Sequence, residues 1–304
     1  VVAPIPLKAS GAAIDVHTHL LSAETVVNGY GAPAGTPASD ADDLINRLDE
    51  ANVQRAVIQS IAYNSFQDSV WMKTEHDWVA AEVAKYPDRL IGFCGINPLL
   101  GSAVLVEIDR CIDELGFRGV KLHLPASGLD LRQPKHAAAL SVVFDKARER
   151  GVPVLLHVSS VPLDADSMMI LYRILGTYSD VRVLLAHCGG VGDEQMEMFL
   201  IPFETVPPVL SRDNLFMDIS FCQKLYKEAP LSRRESIVWH LRWWGLERVF
   251  FSSDYLMVAP VETPKEALNT LTRYPFTQEE IDLILSNDAS AWLPGQLPPR
   301  KPPM

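Results

Sequence analysis

The sequence predicts an α/β protein, a single-domain (β/α)8 barrel of the TIM type, and three observations predict it. Short runs rich in Val, Ile, Leu and Phe recur eight times along the 304 residues. Helical patterns, with apolar residues at i, i+3, i+4 and i+7, lie between most of these runs. No G-x-G-x-x-G turn follows an early strand, as an open doubly wound sheet would usually show. The runs are continuous rather than alternating, which parallel strands require when both of their faces are buried.

Taken in order, the first strand is AIDVHTHL around Ile14. After it, residues 27–39 are too rich in Gly, Pro and Ala for helix and form a βα loop, either a lid or substrate wall or a solvated connection. Asp40 then caps a helix over ADDLINRLDEAN with Leu44, Ile45 and Leu48 on one face. The second strand is QRAVIQSI from Gln54, followed by a helix in which His76 reads as exposed. RLIGFCGINP from Arg89 and FRGVKLHLP from Phe117 are the third and fourth strands. A helix over 136–150 puts Leu140, Val143, Phe144 and Ala147 on one stripe and stops at Gly151, before Pro153. The remaining strands are VPVLLHVSS from Val152, VRVLLAHCGG from Val181, NLFMDISF from Asn214 and RVFFSSDY from Arg248. Trp239, Trp243 and Trp244, ahead of the last strand, have the spacing of helix-to-barrel packing. One domain therefore fills 1–304, with 1–13 an N-terminal extension and 294–304 a Pro-rich tail.

Composition narrows the function. A hydrophobic content of 48% and a mean hydropathy near zero suffice for a large core. The net charge of −11, with basic residues scattered, argues against nucleic acid as a partner. No apolar run reaches membrane-span length, so the expected partner is a small-molecule substrate, with a homodimer allowed. The four cysteines, Cys94, Cys111, Cys188 and Cys222, are widely spaced and read as reduced thiols. This points to a cytoplasmic protein, although a chain that starts without Met is also compatible with an export signal already removed.

The chemistry lies at strand ends. Five of the eight histidines, His17, His19, His123, His157 and His187, fall in C-terminal strand segments, where barrel enzymes carry their catalytic groups. His17 and His19 are two apart on a strand and so share a face from which two imidazoles reach one ion. An H-x-H pair alone is weak evidence. With His157 and Asp254 it becomes an N3O set suited to one divalent metal, Zn²⁺ first, with Mn, Fe or Co as alternatives. His187 is read as general acid/base or as the electrophile polarising a carbonyl, with a fifth ligand or supporting donor as the alternative. Asp254 both binds the metal and takes a proton from water. Lys121 and His123 share a face of strand four. Lys121 is open to a bridging carboxylate modification, to a substrate carboxylate or to a structural acid, and His123 fits a substrate-binding or supporting role. Asp15 lies one pleat below His17 and His19, either orienting a ligand or serving as a buried structural carboxylate.

IDVHTHL, GVKLHLP, VLLHV, LLAHCGG and SSDY together resemble the amidohydrolase superfamily, and most closely the branch containing aminocarboxymuconate semialdehyde decarboxylase. RLIGFCGINP and LILSNDASAWL are similar to that branch too, so the resemblance covers almost the whole chain. It implies a divalent metal on His17, His19, His157 and Asp254, with His187 as the catalytic histidine. The eighth-strand motif departs from it, reading FFSSDYLM where many relatives have Gly before Ser-Asp and Pro after the aromatic residue. The expected activity is metal-dependent hydrolysis of a small carbonyl, lactone or amide. The alternative is non-oxidative decarboxylation of an aromatic or dienoic acid. A non-catalytic ligand-binding barrel is disfavoured, because buried polar groups without a use are costly.

Overall fold

The computed structural model describes residues 13–29, 35–64, 68–158, 164–190, 196, 199–200, 213–220, 229–257, 262–287 and 289–293. Most of the N-terminal extension, the Pro-rich tail, the centre of the Gly- and Pro-rich loop and Cys222 lie outside the described residues.

The expected strands form one parallel sheet, each paired with the next: β1 (Ile14–Thr18), β2 (Arg55–Gln59), β3 (Leu90–Ile96), β4 (Val120–His123), β5 (Val154–His157), β6 (Val183–Leu185), β7 (Leu215–Asp218) and β8 (Val249–Phe250). The last strand is short, and the segment after it completes the barrel against β1. Val16 N donates to Phe251 O (3.1 Å), Asp254 N to His17 O (2.9 Å) and His19 N to Tyr255 O (3.1 Å). The structure is thus the single-domain (β/α)8 barrel that the sequence predicts.

The outer layer contains α1 (Ala23–Val27), α2 (Ala41–Ala51), α3 (Ser69–Lys85), α4 (Ser102–Asp113), α5 (Pro134–Arg150), α6 (Ala165–Thr177), α7 (Leu231–Trp244), α8 (Pro264–Leu271) and α9 (Gln278–Ser286). Their ends follow local chemistry. Asp40 accepts from Asp43 N to start α2, and Gly151, at φ 63°, ends α5 in the left-handed region that glycine tolerates. Of the α7 tryptophans, Trp244 is buried, whereas Trp239 is exposed rather than packed on the barrel.

Apolar side chains segregate into two cores. The larger lies between strands and helices. The smaller fills the barrel interior with residues such as Val57, Phe93, Leu155, Phe216 and Phe250. Trp292 joins it, its ring 5.2 Å from that of Phe93. Asn287, just ahead, donates to Val249 O at the start of β8, so this segment enters from the N-terminal ends of the strands. Apolar packing therefore fills the lower interior, and the polar groups collect at the C-terminal mouth.

Candidate active site

At that mouth His17, His19 and Asp254 bring one donor atom each within 4.8 Å of one another, all buried. Asp254 Oδ1 is 3.5 Å from the Nε2 of each ring. The spacing of the histidines is not a simple alternation. A register shift between Asp15 and Thr18 lets Val16 join the interior core while His17 faces the site.

Hydrogen bonds fix which ring nitrogens are bare. His17 Nδ1 lies 2.9 Å from Asp218 Oδ2, and His19 Nδ1 lies 2.9 Å from the Gln59 carbonyl. Both partners only accept, so both Nδ1 atoms carry the proton and both Nε2 atoms keep a lone pair. The same logic runs through the other rings. His187 Nδ1 meets the Ser220 carbonyl at 3.2 Å and its hydroxyl at 2.9 Å, so His187 Nε2 accepts from His157 Nδ1 at 3.1 Å. That leaves His157 Nε2 as a buried nitrogen with no hydrogen-bond partner among the described residues. His157 itself is not in the group gathered within 4.8 Å.

Electrostatics agree with neutral rings beside ionised carboxylates. Burial, then the Lys121 charge, lowers His17 to about 4. Burial also lowers His19, His123 and His157. Burial opposes ionisation of Asp254 and Asp218, yet the adjacent histidines hold both well below the usual carboxylate range. Burial brings Lys121 down to about 8, and its Nζ lies 3.1 Å from His17 Nε2.

The remaining expected residues are also placed. Asp15 accepts from Ser253 N (3.0 Å), Ser253 Oγ (2.6 Å) and His17 N (3.3 Å), so it grips the residue before Asp254 rather than a ring nitrogen. His123 stacks on His157, with centroids 3.8 Å apart and planes at 11°, and on Tyr63 at 5.0 Å. His187 and Asp254 both adopt left-handed backbone, at φ 56° and 53°. Non-glycine residues in that region cost about 1–3 kcal/mol and cluster at functional sites.

Asp218 escaped the sequence reading. It ends the apolar run LFMD of β7, the same signal that selected Asp254. It holds His17 Nδ1 and accepts from His187 N (3.1 Å) and the Ser252 hydroxyl (3.1 Å).

The donors suit one divalent cation: bare imidazole nitrogens, an ionised carboxylate and a supporting carboxylate behind His17. A family model described as amidohydrolase matches residues 14–294. The chain belongs to the amidohydrolase family. This amidohydrolase is similar to 2-amino-3-carboxymuconate-6-semialdehyde decarboxylase of Dictyostelium discoideum, with 19% identity over 263 residues, 77% of this chain and 72% of that protein. Among solved structures it resembles a probable 2-pyrone-4,6-dicarboxylic acid hydrolase from Acinetobacter baumannii with citric acid bound. The TM-score is 0.63 at 19% identity, covering 93% of this chain and 99% of that one. It also resembles a dihydroxybenzoic acid decarboxylase from Polaromonas sp. JS666 with bound manganese and the inhibitor 2-nitroresorcinol. Here the TM-score is 0.65 at 17% identity, covering 93% and 96%. At such identities the structural likeness bears on the fold.

Proposed function

We propose that this amidohydrolase is a metal-dependent hydrolase of a small carbonyl, lactone or amide substrate. The observation that carries the reading is the convergence of His17 Nε2, His19 Nε2 and Asp254 Oδ1 at the barrel mouth. His17, His19, His157 and Asp254 would hold one divalent ion, with Zn²⁺ the metal an N3O set suits and Mn²⁺ the alternative favoured by the manganese-bound relative. When bound, the ion supplies Lewis-acid polarisation of a substrate oxygen and acidifies water.

The chain's own residues do the rest. Asp254 Oδ accepts the proton of the attacking water, and His187 Nε2, which holds the lone pair of that ring, takes up a proton in turn and delivers it to the leaving group. Ser220 holds the His187 ring through Nδ1 and Asp218 holds its backbone N–H, which keeps Nε2 turned into the site. Lys121 and His123 contact the substrate, and Asp15 positions Asp254 through Ser253.

One feature favours the second reading, non-oxidative decarboxylation of an aromatic or dienoic acid. Tyr63, His123 and His157 stack on one another beside the site, an aromatic surrounding compatible with a planar acid, and this chain is similar to decarboxylases.

The test is metal analysis of the purified protein beside His17→Ala and Asp254→Ala, followed by a panel of lactones, amides and carboxylated aromatics. The expected result is close to one equivalent of metal in the wild type and little in either variant, with water-added products. Release of CO2 selects the second reading, and unchanged metal content in both variants overturns the site.

A further inference from the structure

Away from the mouth, on the outer side of β3, a second cluster of reactive side chains is completely buried. Cys94 on β3 and Cys111 on α4 bring their Sγ atoms to 2.7 Å, closer than unbonded sulfurs ordinarily sit. His76 of α3 adjoins them, its Nδ1 3.5 Å from Cys111 Sγ. Such a trio is a candidate for a soft metal, but the ring excludes it. His76 Nε2 donates to the Gly95 carbonyl (3.1 Å) and Nδ1 donates to Glu107 Oε1 (2.7 Å). With both nitrogens protonated, the ring has no lone pair to offer a cation. It is instead an imidazolium against a sulfur, with its charge balanced by Glu107, which Arg110 also holds.

We propose that Cys94 and Cys111 form a redox-active dithiol, with Cys111 the attacking sulfur and Cys94 the resolving one, oxidised by a small peroxide to a disulfide tying β3 to α4. The two thiols are electrostatically unequal. Burial raises both, but Cys94 and the charged His76 ring bring Cys111 down to about 6, whereas Cys94 stays well above the usual thiol range. Cys111 thiolate attacks a peroxide oxygen. The S–O bond forms, the O–O bond breaks, and the departing hydroxide leaves as water after taking a proton. Cys94 sulfur then attacks the sulfenic sulfur. The S–S bond forms, the S–O bond breaks, and the Cys94 proton leaves in a second water. Two electrons pass from the sulfurs to the peroxide, and two thiols plus hydrogen peroxide give one disulfide plus two waters. A peroxide molecule is close to water in size, so local opening between α3 and α4 admits it.

The test treats the full chain with hydrogen peroxide, alkylates it under denaturing conditions and maps the peptides by mass spectrometry. The expected result is a linked Cys94–Cys111 peptide that dithiothreitol reverses. The oxidised protein should also melt about 5 °C higher, as closing a loop of this length implies. In Cys94→Ser the link and the rise vanish, and Cys111 is trapped by dimedone as the sulfenic acid. His76→Gln slows formation of the link at least tenfold. Should that variant not fold, the wild-type map and Cys94→Ser decide. Separate alkylation of Cys94 and Cys111 after peroxide treatment that oxidises Cys188 or Cys222 overturns the proposal, as does an unchanged rate in a folded His76→Gln protein.

Discussion

At the scale of single residues, the site depends on which ring nitrogen carries the proton, and Asp218 decides this for His17. Asp218→Asn keeps the shape but weakens the charge-assisted bond that orients the imidazole. We expect metal affinity to fall by about 10–100-fold, measured by chelator competition, with the fold retained. Affinity within threefold of wild type would show that Asp218 does not orient the ligand. His187→Asn tests the proton carrier separately: kcat should fall by about 10²–10⁴-fold at unchanged metal content, and a kcat near wild type would remove His187 from the reaction. That these side chains gather at one end of the barrel was legible in the sequence, because His17, His19, His157, His187 and Asp254 all end apolar strand runs. Their tautomers were not, because the deciding partners are distant in the chain: Asp218 stands 201 residues from His17. The left-handed backbone at His187 and Asp254 was also invisible, since it is imposed by tertiary hydrogen bonds rather than by a local glycine.

At the scale of elements, all eight strands and the Asp40-capped start of α2 followed from hydrophobic runs and an N-cap residue, while burial on the helices was harder to read. His76 looked like a surface residue because α3 has charged neighbours around it, KTEHDW, yet it is completely buried against Glu107 of α4. An ion pair between helices leaves no periodic signature in either. The pair gives stability a distinct pH dependence. Burial disfavours the charged Glu107, but His76 and Arg110 hold its carboxyl at about 2. Burial disfavours the charged His76, but Cys111 and Glu107 raise it to about 10. The Glu107 contribution is therefore complete above its ordinary 4.5 and is lost as pH falls through about 2. That of His76 is complete below its ordinary 6.5 and is lost as pH rises through about 10. Glu107→Gln should lower stability by about 3 kcal/mol, the cost of breaking a buried pair. In urea titrations the gap from wild type should be widest between pH 4.5 and 6.5 and should narrow on either side. A gap that does not change with pH would mean the pair is not ionised.

At the scale of the whole molecule, the site and the closure of the barrel share a seam. β8 is only two residues long, so the ring is closed by the segment that follows it: Phe251, Asp254 and Tyr255 against Val16, His17 and His19. Asp15 and Ser253 add a buried bond across the same junction. The proposed metal ligands stand on both sides of it, His17 and His19 on β1 and Asp254 on the closing segment. Binding of an ion there would tie the first strand to the last, a role that sequence order conceals because these residues are separated by most of the chain. Any species that binds only the folded state stabilises it by mass action, by about 4 kcal/mol at a thousandfold excess over Kd. For a chain of this length that corresponds to a rise in Tm of roughly 6 °C. Stripping the metal with a chelator should lower Tm by that order and speed amide exchange at Val16, His19 and Asp254, whose N–H groups make the seam bonds. Amides of β3 and β4, away from the seam, should change little. Readdition of Zn²⁺ or Mn²⁺ should restore both measures in the wild type and neither in Asp254→Asn. If chelated and metal-loaded proteins melt together, or exchange quickens evenly around the barrel, the ion does not hold the seam.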